Sequence, residues 1–106
     1  MALVERKKRV HLSADVYINR TVRAEGLDLS EDGMYLYTRH QYLEGVIVEV
    51  SFKLNDEPVD VAAKVMHSQP GIGLGVRFEV FKDGSLDKIK SFVNKYGAPA
   101  PELKQS

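Results

Sequence analysis

The sequence predicts a mostly β domain closed by one C-terminal helix. Three features carry that reading: apolar residues recur at every second position from Val10 to Val80, turn-forming clusters interrupt them, and the spacing becomes helical after Gly84. In the first expected strand Val10, Leu12, Ala14, Val16 and Ile18 alternate with His11, Ser13, Asp15, Tyr17 and Asn19, which leaves one face apolar. A second strand is expected over about 21–29 and a third over 34–38, where Met34, Leu36 and Thr38 share the face opposite Tyr35 and Tyr37. Val46, Val48, Val50, Phe52 and Leu54 line the fourth, Val59, Val61, Ala63 and Val65 the fifth, and Leu74, Val76, Phe78 and Val80 the sixth. Glu31-Asp32-Gly33, Asn55-Asp56-Glu57-Pro58 and Gln69-Pro70-Gly71 supply turns between them. Six short strands at this spacing form a barrel or a sandwich. Leu86, Ile89, Val93 and Tyr96 then fall on one face of a helix expected over 86–96, with Ser85 as its N-cap and Gly97 as its stop. Residues 98–106 hold two prolines and little to bury except Leu103, and are expected to be a disordered tail.

At 106 residues the chain has the size of one domain, and its 43% apolar content suffices for one core. No run approaches the roughly 18 apolar residues that cross a bilayer. The opening residues turn charged before a signal-peptide apolar region could form, so a cytoplasmic protein without membrane insertion is expected. The absence of cysteine rules out disulfides, zinc-thiolate sites and a cysteine nucleophile. Fifteen basic residues balance fifteen acidic ones, so no global field draws in DNA or RNA, and any anion site is local.

Two segments carry candidate chemistry. Arg6-Lys7-Lys8-Arg9 precedes the first strand. Such cations hold phosphate, and an arginine also makes a two-pronged contact to guanine O6 and N7, although a basic run taken alone reads by default as a solvated terminus. Asp28-Leu29-Ser30-Glu31-Asp32-Gly33 lies between the second and third strands. In strand parity Asp28 and Ser30 face the same way, which sets a carboxylate acceptor beside a hydroxyl, with Gly33 permitting a sharp turn. The same residues also make an ordinary capped turn.

Together the two segments resemble the paired signatures of the PilZ domain family, R-x-x-x-R before the first strand and [D/N]-x-S-x-x-G about twenty residues later. The second is complete here as Asp28, Ser30 and Gly33. The likeness continues through Gly33-Met34-Tyr35-Leu36, Gly45, and Gly73-Leu74-Gly75-Val76-Arg77-Phe78, and covers about residues 5–96. It implies a six-stranded antiparallel β-barrel of split-barrel type with a C-terminal helix over 10–97, preceded by a flexible basic arm over 1–9. It also implies a binding module for the bacterial messenger cyclic di-GMP. On that resemblance Arg9 contacts phosphate or guanine, with Arg6 and Lys7 beside it on the arm. Asp28 accepts from a guanine, Ser30 supports a phosphate and Gly33 keeps the turn open.

The first signature departs from the family at one position, because Glu5 stands four residues before Arg9 where the family has arginine. A carboxylate there cannot donate to guanine and repels the ligand's phosphates. One bidentate arginine–guanine contact is worth roughly 1–3 kcal/mol, so its loss weakens binding by about five- to more than a hundredfold. Two functional expectations follow. One is a cyclic di-GMP receptor that signals to an unidentified partner protein by a change of surface. The other is an adaptor that has lost the ligand and acts by protein contact alone, in motility, pilus or surface-attachment and biofilm control.

No enzyme is expected. His11, His40 and His67 are scattered and lack the spaced partners of a metal site or catalytic base. Ser30 has no nucleophile-elbow context, and Gly71-Ile72-Gly73-Leu74-Gly75 lacks the helix and Lys-Ser/Thr of a phosphate loop. No metal or cofactor is expected, only the nucleotide ligand.

Overall fold

A computed structural model describes residues 8–99. Seven strands and one helix follow in order: β1 (Lys8–Ile18), β2 (Val22–Leu29), β3 (Gly33–Tyr37), β4 (Ile47–Leu54), β5 (Glu57–Gln69), β6 (Gly73–Phe81), α1 (Ser85–Tyr96) and the two-residue β7 (Ala98–Pro99). Six of the strands close into an antiparallel barrel in the order β2-β3-β6-β5-β4-β1, with β1 returning to pair with β2. Closure leaves no long free edge, which is how small antiparallel sheets avoid pairing with other chains.

The alternation predicted from the sequence builds the core. Val16, Ile18, Leu29, Leu36, Val50, Val61, Val65, Leu74 and Ile89 are almost completely buried, and each such side chain contributes roughly 1.5–3 kcal/mol by leaving water. The most regular pair is β4–β5, in register from Ile47↔Lys64 to Leu54↔Glu57. Its turn residues Asn55 and Asp56 have φ of 50° and 66°, the left-handed pair that a two-residue hairpin needs to match strand twist. Helix α1 packs on β5, β1 and β4 through Ile89 and Val93.

Several details depart from the sequence reading. Val80 was expected inside but is 64% exposed. The cause is a bulge: Ala62 pairs with Val80 and Ala63 with Phe78, so Glu79 is an extra residue that flips the parity and turns Phe81 toward the core instead. Val46 lies before β4 begins and is exposed. Tyr96 is exposed too, tilted against Phe92 at 4.8 Å between ring centroids, and Phe92 takes the partly buried position.

The helix cap also differs. Gly84 occupies the N-cap in a left-handed conformation, φ 77°, that a side chain strains to adopt. Ser85, expected as the cap, is the first helical residue, and its hydroxyl accepts the Asp60 backbone N–H at 3.1 Å, tying α1 to β5. Gly97 ends the helix as expected, its N–H donating to the Val93 carbonyl.

At both ends of the described residues the strand assignment runs further than the sequence reading placed it. Lys8 and Arg9, placed by the sequence on a flexible arm, are the first residues of β1. Ala98 and Pro99, placed in the tail, pair with them as Arg9↔Ala98 and Lys8↔Pro99. Arg6 and Lys7, together with Glu5, lie outside the described residues.

Candidate functional site

The corner where β1 begins is the least regular part of the barrel. β1 carries an extra residue between His11 and Ala14 against β2, β2 one between Gly26 and Asp28 against β3, and β5 one between Val65 and His67 against β6. Bulges bend strands and re-aim side chains, and three meet around one small area.

Arg9 and Asp28, 19 residues apart in sequence, come together there. The Arg9 Nη1 donates to Asp28 Oδ1 at 3.2 Å, with Arg9 about half exposed and Asp28 more shielded. A guanidinium has five N–H donors, so this contact orients Arg9 and uses few of them.

Ser30 is placed differently from expectation. It is 4% exposed, and its hydroxyl turns into the β2–β3 turn. There Oγ accepts the backbone N–H groups of Asp32 and Gly33, both at 3.3 Å, while the Ser30 N–H donates to the Gly33 carbonyl at 2.9 Å. Strand parity set Ser30 beside Asp28 on the surface. It fails because β2 ends at Leu29 and the next residue already belongs to the turn. The turn is fastened to β6 by the Phe78 N–H, which donates to the Asp32 carbonyl at 2.7 Å.

Gly33 is needed for a reason the sequence did not reveal. Its φ is not positive; instead a Cβ there would run into the Val76 carbonyl oxygen and lie 3.3 Å from the Arg77 Cα. Glycine lets β3 approach β6 closely, in the register Gly33↔Arg77. On the same surface the Tyr35 ring lies over Gly73, where a Cβ would collide with it, and beside Gly75, where a Cβ would make only ordinary contact.

One open depression of about 320 Å³ lies here, lined by Arg9, Ser30, Gly33, Tyr35, His67 and Arg77 among others; Asp28 is not in its lining and adjoins it through its bond to Arg9. Sequence reasoning did not place Tyr35, His67 and Arg77 beside the two signature segments, where they line this depression. Outward parity was visible for Tyr35 and Arg77, but the register that carries β6 to Gly33 was not.

A larger groove of about 680 Å³ runs over β1, β2 and β3. Several of its polar groups already have partners: Arg23 holds Asp15 at 2.9 Å, Ser13 donates to Glu25 at 3.3 Å, and a hydrogen bond with Tyr37 raises the Arg39 guanidinium above its ordinary value. Size alone therefore does not make it the better site, and the smaller depression holds the convergent segments. Among the described residues no group of three or more His, Cys, Asp or Glu is placed to hold a metal ion, and no helix is long and apolar enough to cross a membrane.

Comparison with known proteins bears on this corner. No curated protein matches the chain. Among solved structures it is similar to the Bacillus subtilis inhibitor of motility MotI/DgrA, with a TM-score of 0.73 at 11% identity over 89% of this chain and 51% of that one. The chain thus spans about half the length of that protein. It is also similar to the PilZ domain of CeSA from a cellulose-synthesizing bacterium, with a TM-score of 0.63 at 14% identity over 82% of this chain and 95% of that one. At these identities the two structures speak to the fold alone. The PilZ domain family model matches residues 5–95, which takes in both signature segments, the barrel and nearly all of the helix, and the chain belongs to the PilZ domain family.

Proposed function

We propose that this protein is a cytoplasmic, non-catalytic receptor for cyclic di-GMP that passes the signal to a partner protein by changing its surface. The observation that carries the reading is the meeting of Arg9 with Asp28, 3.2 Å apart, at the rim of the depression bordered by the Ser30–Gly33 turn. Arg9 provides N–H donors for phosphate or for guanine O6 and N7, and Asp28 accepts from the ring and amino N–H groups of a guanine. Ser30 serves the phosphate by holding the turn in shape, and Gly33 by bringing β3 against β6. Arg6 and Lys7, just before β1, add cations from the arm.

The same geometry provides a route outward. Arg9 pairs with Ala98, and β7 follows α1 after the single residue Gly97. A ligand that pulls on Arg9 therefore acts on the strand that continues from the helix, and the exposed end of α1 with Tyr96 is the surface expected to change. Action on a partner protein also fits the neighbour described as an inhibitor of motility.

Glu5 supports a second reading, an adaptor that keeps the barrel and works without the ligand. Calorimetric titration with cyclic di-GMP near physiological salt separates the two. Binding by the wild type at micromolar strength or better supports the receptor. A silent wild type beside a binding Glu5→Arg variant supports the adaptor, with the barrel half of the site intact.

A further inference from the structure

We infer that Arg77 on β6 contacts the ligand directly and supplies the second arginine that Glu5 denies to the arm. The inference rests on the cyclic di-GMP reading and adds a residue that neither signature contains. Arg77 is the register partner of Gly33, so it stands against the glycine of the second signature and borders the same depression as Arg9. Val76 and Phe78 on either side of it are buried, which fixes Arg77 outward, and its side chain is about half exposed.

The chemistry of its present contact favours availability. Nε donates to Glu79 Oε2 at 3.1 Å, so this bond is made by Nε and not by the end-on pair of terminal nitrogens. The pair sits in solvent, where screening makes it weak, whereas two-pronged arginine contacts to phosphate or guanine are among the stronger ones proteins make. A cyclic dinucleotide presents two phosphates and two guanines, so a site with arginines from two separate strands can hold it at two points.

Titration of cyclic di-GMP into wild type, Arg9→Ala, Arg77→Ala, Arg77→Lys and Glu79→Gln tests this, with circular dichroism verifying each fold. Arg77→Ala is expected to weaken binding by about five- to a hundredfold, the range of one bidentate arginine contact. Arg77→Lys keeps the charge without the fork and is expected to recover part of the loss. Glu79→Gln, which frees the guanidinium, is expected to bind at least as tightly as wild type. If Arg77→Ala binds like wild type while Arg9→Ala does not bind, the role of Arg77 is overturned and the receptor reading stands. If the folded wild type does not bind at all, both fall together.

Discussion

The two ends of β1 carry charged clusters built for different purposes. Just past its C-terminal end Arg20 and Lys82 both hold Glu49, at 2.9 and 3.1 Å, while Asn19 accepts the Glu49 N–H at 2.8 Å and donates its own N–H to the Glu49 carbonyl. Every group there has a protein partner, and the cluster stitches the β1–β2 turn to β4 and to the residue after β6. At the N-terminal end Arg9 and Arg77 each rest on one carboxylate, in a part of the barrel bent by three bulges. The first end gathers two cations on one carboxylate and so ties three parts of the barrel together. The second gives each arginine a carboxylate of its own, beside the signature turn, and on the proposed reading recognition is placed there and stability in the regular half.

Substitution in the regular half is expected to have the largest effect on folding. Phe52, 4% exposed on β4, leaves a large void when truncated, so Phe52→Ala is expected to lose about 3–5 kcal/mol in chemical denaturation. Nucleotide affinity of the folded fraction should stay unchanged, and a loss of affinity there would break the separation. Gly33→Ala touches both properties, because its methyl group meets the Val76 carbonyl. A loss of about 1–3 kcal/mol is expected from overpacking, together with weakened binding as β3 is pushed off β6. Ser30→Ala leaves the Asp32 and Gly33 N–H groups without their acceptor and is expected to cost about 1 kcal/mol in denaturation. Its effect on affinity should be smaller than that of Arg9→Ala, since the hydroxyl acts through the turn.

The smallest effect concerns pH. Arg20 and Lys82, through hydrogen bonds and charge, hold the Glu49 carboxyl below its ordinary value. A carboxylate with a depressed folded value contributes stability that is present above the unfolded pKa and is lost as pH falls through the folded one. Carboxyl-carbon NMR titration is expected to show Glu49 titrating below the ordinary glutamate range in wild type and moving up toward it in Arg20→Ala. An unmoved Glu49 would show that the pairing is too solvent-screened to matter.

How far the sequence could be read follows the same division. The period-two runs located all six barrel strands because one face of each is dry, and in the β4–β5 pair, which has no bulge, the residues placed inward are buried except Val46. Val80 was misplaced because a bulge at Glu79 changes parity without leaving a mark in the apolar pattern. β7 was invisible, since Ala98 and Pro99 have no alternation of their own and are strand only because Lys8 and Arg9 lie beside them. At the site, Arg9 and Asp28 were found through the family resemblance and the structure brings them together. The inward turn of the Ser30 hydroxyl depended on where β2 stops. Arg77 entered only through long-range register, which spacing along the chain does not encode.

The most direct test of the central claim, that this corner and not the rest of the barrel is the ligand site, is a two-dimensional amide NMR titration of the full chain with cyclic di-GMP. The account predicts shifted peaks at residues 8–11, 28–35 and 73–77, with smaller changes at Gly97 and Ala98, and still peaks over the β4–β5 hairpin from 47 to 62. Shifts centred on the larger groove around Arg23, Tyr37 and His40, or on β4–β5, would contradict it.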